Sequence, residues 1–490
     1  MGAQVAFTGL AIRPARITQP AIVARARPRT TACVLLAADI LAIFIAHALA
    51  LSSWRWFHPS IGRLNFLGFW ESLGLFALTY AALGLYSGGG LGAVEELRRS
   101  VMGTGFVCLL LTASLFFLQH AGPYSRGLLV LSGCLTAGAV PLVRSATRNA
   151  FVSRPWWGVP VIVLGAGKAA RILIERLRKQ PQLGFKPVAC FDDDERNQGD
   201  CAGIPVYGWL PGAGLLAKTL GIRHALVALP EIPREDLAWT LDEWGATFRH
   251  VILIPDLFGV ASLWASARDM GGVLGLGMRQ NLLVPLNRWT KRAIDITGAV
   301  VLGILALPVL AAAAVWIKCA SQGSVLYCQE REGEKGRPIR VPKLRTMHPD
   351  AEALLTRVLS ESSETRAEWS CRFKLRKDPR ILPGVGRWLR RTSLDELPQL
   401  WSVIKGEMSL VGPRPFPSYH LNTFGERFQT LRGRVKPGLT GLWQVSDRAD
   451  GDLQVQETLD TFYIRNWSLW LDLYILARTV RAVLFPKGAY

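Results

Sequence analysis

Cysteine pairs are the first thing this sequence lacks. The eight cysteines of the 490-residue chain, Cys33, Cys108, Cys134, Cys190, Cys201, Cys319, Cys328 and Cys371, include no Cys-x-x-Cys. That excludes the common zinc spacings and gives no disulfide framework, which suits a reducing compartment. The first 30 residues hold no apolar stretch ahead of a small-residue cleavage site, so no signal peptide is expected. Acids are also short: 37 Asp and Glu face 57 Lys and Arg, a formal charge of +20. The surplus cations must face phosphates of nucleic acid, lipid headgroups or nucleotide substrates. No recognisable nucleic-acid module accompanies them, which counts against the first. Between 159 and 280 the single tyrosine, Tyr207, has no lysine four residues later, so the Tyr-x-x-x-Lys of a dinucleotide-dependent epimerase or dehydratase is missing.

What is abundant is apolar sequence. Half of the residues are hydrophobic, too many for an ordinary soluble enzyme of this length. Runs of about 20 residues, enough for a spanning helix, fall at 33–53, 64–86, 101–121 and 127–147. Arg13, Arg16, Arg25, Arg27 and Arg29 precede them, and Arg144, Arg148 and Arg154 follow. The positive-inside rule then makes 1–30 a cytoplasmic tail and 31–150 four transmembrane helices with both ends inside.

From Val159 the pattern becomes VPVIVLGAGKAARILIERLRK, a strand, a glycine turn and an amphipathic helix. Gly165, Gly167 and Ala170 match the G-x-G-x-x-G/A spacing, and Asp192 ends the second strand where a ribose-binding acid would sit. A Rossmann-like cytoplasmic domain is expected over 155–280. Its glycines fit a nucleotide site and fit close strand–helix packing without a ligand equally well.

A fifth apolar run, 294–319, is flanked by Arg288, Lys291 and Arg292 on one side and by Lys318, Arg331, Lys335, Arg337 and Arg340 on the other. Both ends ask for the cytoplasmic side. Pro308 near its middle removes a backbone donor, so a re-entrant helix broken at Pro308 is expected, with a kinked fifth span as the alternative.

The charge concentrates in the last third. Six cationic residues from Arg376 to Arg391 lead into Ser393-Leu394-Asp395-Glu396, ahead of the turn Gly412-Pro413-Arg414-Pro415. One reading is a capping box at a helix start, which Pro398 weakens, leaving Asp395 as an alternative cap. The other is chemical: a carboxylate can attack phosphorus, and needs a divalent metal and cationic donors beside it. Two adjacent acids among arginines supply both a nucleophile and an oxygen ligand, and oxygen ligands with a phosphate substrate favour Mg²⁺.

The segment Lys291–Tyr490 resembles the catalytic domain of the bacterial sugar transferases, monotopic phosphoglycosyl transferases that move a hexose-1-phosphate from a UDP-sugar to a polyprenyl phosphate. The resemblance rests on KRAIDI, the proline-bearing apolar segment, LRTM, DPRI, VGRWLRRTSLDELPQLWSVIKGEMSLVGPRP, VKPGLTGLWQVSDR and YIRNWSLWLDLYILARTV. With four spans and a Rossmann-like insert ahead, the whole chain is similar to the larger, galactose- or glucose-transferring members. The resemblance implies a mainly α catalytic domain over 288–490, giving a membrane α/β protein with a four-helix transmembrane N-terminal region and a Rossmann-like α/β middle domain.

The same resemblance implies that Asp395 is the nucleophile, forming a phosphosugar-enzyme intermediate, and that Glu396 assists it, both in contact with Mg²⁺. Arg414 is implied in phosphate or nucleotide binding, and Lys343 and Arg345 in phosphate contacts. Arg387, Arg390 and Arg391 are expected either to do the same or to pair with lipid headgroups. Trp401, Trp443, Trp467 and Trp470 seat the domain at headgroup level or pack in its core. The family pattern aromatic-Lys-Phe-Arg is replaced here by Val341-Pro342-Lys343-Leu344-Arg345, which keeps both cations and changes their packing. The implied partners are a UDP-sugar, undecaprenyl phosphate, membrane lipids and a second copy of the chain, with no nucleic acid. The implied place is the bacterial inner membrane, with the catalytic domain on its cytoplasmic face, at the first membrane step of O-antigen, capsule or exopolysaccharide synthesis. The layout and the GAY terminus favour galactose, with glucose as the alternative. A membrane-anchored nucleotide-sensing regulator is the reading of a different class.

Overall fold

A computed structural model of the chain describes residues 26–57, 67–117, 126–208, 210–229, 244–254, 265–269, 274–278, 281, 284–361, 363–372, 375, 378–446 and 453–484. The tail residues Arg13, Arg16 and Arg25, the start of the run 64–86, the end of the run 101–121, Arg376, the Asp447-Arg448 pair of VSDR and the GAY terminus lie outside them. Two compact units, Met1–Leu257 and Phe258–Tyr490, make up the chain.

In the first unit, α1 (Pro28–Phe57), α2 (Leu67–Ala82), α3 (Ala93–Phe117) and α4 (Arg126–Phe151) stand where four spans were expected. Among the described residues only α1 and α4 of these are long and apolar enough to cross a membrane. Helix α2 has 16 residues, and α3 opens on the polar stretch Glu95-Glu96-Leu97-Arg98-Arg99. Arg144, read from the sequence as a flanking charge, is fully buried in the bundle. Its Nε lies 2.8 Å from Asp39 and its Nη1 2.7 Å from Glu96, while Arg148 pairs with the same Glu96 at 2.8 Å. Polar groups inside a bundle must pair, because each unpaired charge there costs several kcal/mol.

The rest of this unit is a six-stranded sheet: β1 (Val159–Leu164), β2 (Phe185–Phe191), β3 (Gly199–Cys201), β4 (Ile204–Tyr207), β5 (His224–Val227) and β6 (His250–Leu253), in the order β3-β4-β2-β1-β5-β6. All pairs are parallel except β3 with β4. All six residues of β1 are buried, as in a parallel strand covered on both faces by helices. Helices α5 (Lys168–Lys179) and α6 (Gly212–Leu220) belong to this α/β layer. The sheet ends at Leu253, short of the expected 280; the hairpin β7 (Ala265–Asp269) and β8 (Leu274–Met278) falls in the second unit.

The glycine turn after β1 is built for packing. Gly165 has φ +101°, and a Cβ there would stand 2.5 Å from Ala228 O, so glycine is required irrespective of any ligand. Asp192, at the strand end where a ribose-binding acid would sit, is hydrogen-bonded into that turn. It accepts from Ala166 N at 2.7 Å, Asn197 Nδ2 at 3.0 Å and Asp194 N at 2.9 Å. The acid at the strand end thus satisfies backbone donors that a phosphate or sugar would otherwise compete for.

The second unit is mainly helical. Its elements are α7 (Pro285–Ala320), β9 (Leu326–Glu332), β10 (Pro338–Leu344), α8 (Ala351–Glu361), α9 (Ser363–Arg372), α10 (Val385–Thr392), a 3₁₀ helix Leu394–Gln399, α11 (Leu400–Lys405), β11 (Ser409–Val411), α12 (Ser418–Leu421), α13 (Glu426–Arg432), β12 (Gly438–Thr440), α14 (Leu453–Asn466) and α15 (Leu469–Leu484). Helix α7, which covers the expected 294–319 run, is also long and apolar enough to cross a membrane. It runs as one helix through Pro308, so the interruption expected there is absent. A proline inside a helix costs about 3 kcal/mol, and packing at both ends of α7 offsets it. Lys291 Nζ lies 2.6 Å from Asp472, Arg292 donates to Val403 O and Ile404 O, and Asp295 accepts from Leu410 N and Ser409 Oγ. Near the other end, Ala313 and Ile317 pack with Leu344, Leu382, Val385 and Leu389. The opposite face, with Val301, Ile304, Leu305 and Val315, is exposed and apolar.

Candidate active site

Pro398 decides the local geometry. Its missing N–H disfavours an α-helical turn, and Leu394–Gln399 is a 3₁₀ helix, longer than the usual three or four residues. With three residues per turn, the neighbours Asp395 and Glu396 point about 120° apart. Neither capping reading is realised: Ser393 has φ +54° and closes α10 instead, with no side-chain cap to the turn it precedes.

Glu396 is the bonded acid. Its Oε1 accepts from Lys343 Nζ at 2.7 Å and from Arg414 Nη2 at 2.8 Å. Burial pushes its pKa up, but Arg414 and Lys343 prevail and hold it at about 2. Asp395, 8% exposed, is the free acid, because no hydrogen bond reaches its carboxylate among the described residues. Burial and then the Glu396 charge raise its pKa to about 6, against the pull of Lys343, Arg390 and Arg414. At neutral pH it is an ionised, desolvated carboxylate facing cations, a nucleophile in waiting.

Each cation is positioned by an element with its own anchor. Lys343 comes from β10, paired with β9 through Tyr327. Arg414 follows β11, and the motif KRAIDI fastens α7 to that strand: Asp295 bonds Leu410 N, and Lys291 donates to Val411 O at 3.0 Å. Asp472 ties the same corner to α15, accepting from Lys291 and from Trp467 Nε1, with Tyr463 Oη at 2.8 Å. Arg432 bonds Arg414 O and Asp460, the latter at 2.9 Å, while stacking 4.2 Å from the Phe416 ring. Burial raises Asp460 to about 7, against the pull of Arg432.

Of the residues singled out in the sequence, Asp395, Glu396, Lys343 and Arg414 meet in one cluster. Arg390 borders it, donating from Nε to Thr346 Oγ1 at 2.9 Å. Arg345 does not join it: strand β10 ends at Leu344, and the Arg345 guanidinium turns to the end of α7, bonding Gln322 O at 2.7 Å and Ser321 O at 2.9 Å. Arg387 and Arg391 are exposed on the outer face of α10. Trp443 and Trp467 are core residues, Trp470 is half-buried, and Trp401 is exposed beside Lys405. The sequence reading missed Arg331 as a neighbour of Arg414 and missed Arg432 with Asp460. Arg331 had counted only as flanking charge, and the Arg432–Asp460 pair is 28 residues apart in sequence.

A free carboxylate beside a bonded one, ringed by cations, is what phosphoryl transfer through a carboxylate requires. The family described as bacterial sugar transferase matches residues 286–486, and a CoA-binding domain family matches residues 81–255. The chain is 34% identical over 372 residues to the UDP-galactose-lipid carrier transferase of Erwinia amylovora, covering 75% of this chain and 76% of that one. It is 34% identical over 374 residues to the undecaprenyl-phosphate galactose phosphotransferase of Salmonella typhimurium, covering 75% and 77%. It is 32% identical over 376 residues to the UDP-glucose:undecaprenyl-phosphate glucose-1-phosphate transferase of Escherichia coli, covering 75% and 74%. The chain belongs to the bacterial sugar transferase family and is a transferase, with helices fit to cross a membrane.

Proposed function

We propose that the protein transfers hexose-1-phosphate from a UDP-sugar to undecaprenyl phosphate in two displacements through Asp395. The observation that carries this is the buried, unbonded Asp395 carboxylate beside the Lys343–Glu396–Arg414 cluster. The names of the relatives supply donor and acceptor classes, and both galactose and glucose occur among them. Galactose-1-phosphate is our first reading and glucose-1-phosphate the second.

In the first step an Asp395 oxygen attacks the phosphorus that bears the sugar. The bond from that phosphorus to the bridging oxygen breaks, and UMP leaves with the electron pair. In the second, an oxygen of the lipid phosphate attacks the same phosphorus and releases Asp395. No hydrogen bond to Asp395 from the described residues has to break before attack. Lys343, Arg390, Arg414 and Arg331 outnumber the two carboxylates, a surplus that the two negative charges of a nucleoside diphosphate would neutralise.

Magnesium fits the donor set. Asp395 and the Oε2 atom of Glu396 are oxygen donors without hydrogen-bond partners among the described residues, and Mg²⁺ is usually held by one or two carboxylates plus phosphate oxygens and water. Among the described residues no group of three His, Cys, Asp or Glu side chains forms a ready cage, so further ligands would come from substrate and water. When bound, the ion supplies charge neutralisation on the diphosphate.

The N-terminal third of α7, through Lys291, Arg292 and Asp295, and its last turn both pack on the rest of the second unit. That supports a re-entrant course from one side of the membrane, the cytoplasmic face of the inner membrane in our reading, with α7 bending at Pro308 while staying helical. An apolar groove of Pro308, Val309, Ala312, Trp316 and Trp388, next to the exposed Arg387 and Arg391, suits lipid chains and headgroups. We take the middle α/β domain as a regulatory or dimer-forming part, checked by mass measurement of the detergent-solubilised chain with and without it. The product would feed O-antigen, capsule or exopolysaccharide synthesis.

The test is transfer of labelled sugar phosphate from UDP-galactose and UDP-glucose to undecaprenyl phosphate by the purified chain with Mg²⁺. Lipid-extractable label with equimolar UMP is expected; release of UDP in place of UMP would sink the reading.

A further inference from the structure

Arg331 lies on β9 and is half-buried. Its Nη1 donates to Pro415 O at 2.9 Å and its Nη2 to Gln329 Oε1 at 2.5 Å. A guanidinium has five N–H donors, and those two contacts leave three unused. Its Nε is enclosed without a partner. Among the described residues no carboxylate pairs with Arg331, whereas Arg414, one residue before the carbonyl that Arg331 holds, pairs with Glu396. Burial and the Arg414 charge push the Arg331 pKa down to about 10, and of the two cations at this corner Arg414 is the one paired with a carboxylate.

The contacts of Arg331 place it beside Arg414: its Nη1 holds the carbonyl of Pro415, the next residue, while Arg414 pairs with Glu396 at 2.8 Å. In a displacement at phosphorus the attacking and leaving oxygens stand roughly in line, so the departing group lies opposite Asp395.

We propose that Arg331, together with Arg414, binds the phosphate of the departing nucleoside monophosphate, the half of the donor that Asp395 does not attack. This rests on the donor reading given above. A forked guanidinium suits a phosphate with two free oxygens better than an ammonium does. Arg331 also braces Arg414 through Pro415 O, so one residue holds both the second cation and the ligand.

The test is calorimetric titration of UMP into the detergent-solubilised full chain, comparing wild type, Arg331→Gln and Arg331→Lys. Arg337→Gln, at an exposed arginine six residues on, controls for the change of charge. Arg331→Gln should weaken UMP binding on the order of ten- to a hundredfold, the range of a charge-assisted hydrogen bond, with Arg337→Gln at wild-type affinity. Arg331→Lys, which keeps the charge and spares the fold, should fall between. Wild-type affinity in Arg331→Gln or in Arg331→Lys overturns the assignment and leaves the donor reading standing. A wild type that binds no UMP removes the donor reading and this proposal with it.

Discussion

Asp395 is a carboxylate kept where it is uncomfortable, and replacing it should stabilise the catalytic unit. Its pKa is about 6 folded against an ordinary 3.8, burial being the first cause and Glu396 the second. A shift of about two units is worth ~3 kcal/mol at 1.36 kcal/mol per unit. The sign is that of a raised acid: there is no penalty below about pH 4, where both states are protonated. The penalty grows between about pH 4 and 6 and is complete above. Asp395→Asn removes the charge and keeps the shape, so it should raise the melting temperature of the second unit by roughly 6–12 °C at pH 7.5, at about 2–4 °C per kcal/mol for a unit of that size. The gain should shrink towards zero at pH 4.5. The assay is thermal unfolding of the detergent-solubilised protein across that pH range, followed by tryptophan fluorescence. A variant that melts at or below wild type at pH 7.5, or a gain that ignores pH, would refute the reasoning. Such a stability penalty at a reacting group is the usual trade between activity and stability.

Other outcomes follow from the same geometry. Glu396→Gln should both abolish transfer and destabilise, by on the order of 3 kcal/mol, because Lys343 and Arg414 would face each other unpaired. The stability that Glu396 contributes is present above about pH 4.5 and lost as pH falls through about 2, its folded value; chemical denaturation at pH 3 and 7 checks this. The transfer rate should fall as pH is lowered through about 6, where Asp395 takes up its proton, and a rate flat from pH 7.5 to 5.5 would count against it as nucleophile. Arg345→Lys should lower the melting temperature while leaving the KM for the donor unchanged, since Arg345 clamps the carbonyls ending α7. Leu286→Cys and the native Cys319, at the two ends of α7, should react with an impermeant maleimide from the same side of sealed vesicles; labelling from opposite sides would make α7 a span.

How much of this was legible depends on what a residue's neighbours reveal. Asp395 and Glu396 could be found because two acids beside a proline and six cations are a costly local pattern that only chemistry or capping explains, although the 3₁₀ turn that separates their roles was not foreseen. Lys343 and Arg345 sit two apart and looked alike. The strand ends between them, so one turns to Glu396 and the other to the end of α7. Asp192 holds the position of a ribose-binding acid, but position along a strand does not say whether the carboxylate faces outward or back into its own loop. Hydropathy placed α7 and flagged Pro308, yet the anchors that keep the helix whole are Lys291, Arg292 and Asp295, whose partners lie more than 100 residues on. Arg144 failed for a similar reason, because its partner Asp39 is 105 residues away.

The central claim is a bond between Asp395 and a sugar phosphate. The most direct measurement is the intact mass of the purified chain after incubation with Mg²⁺ and UDP-galactose, or UDP-glucose in parallel, without lipid acceptor, alongside Asp395→Asn. The account predicts a hexose-phosphate adduct on the wild type alone, with UMP released in equal amount, and the sugar giving more adduct is the preferred one. Full transfer to lipid with no adduct from either sugar would contradict it, leaving Asp395 as a metal ligand in a direct displacement.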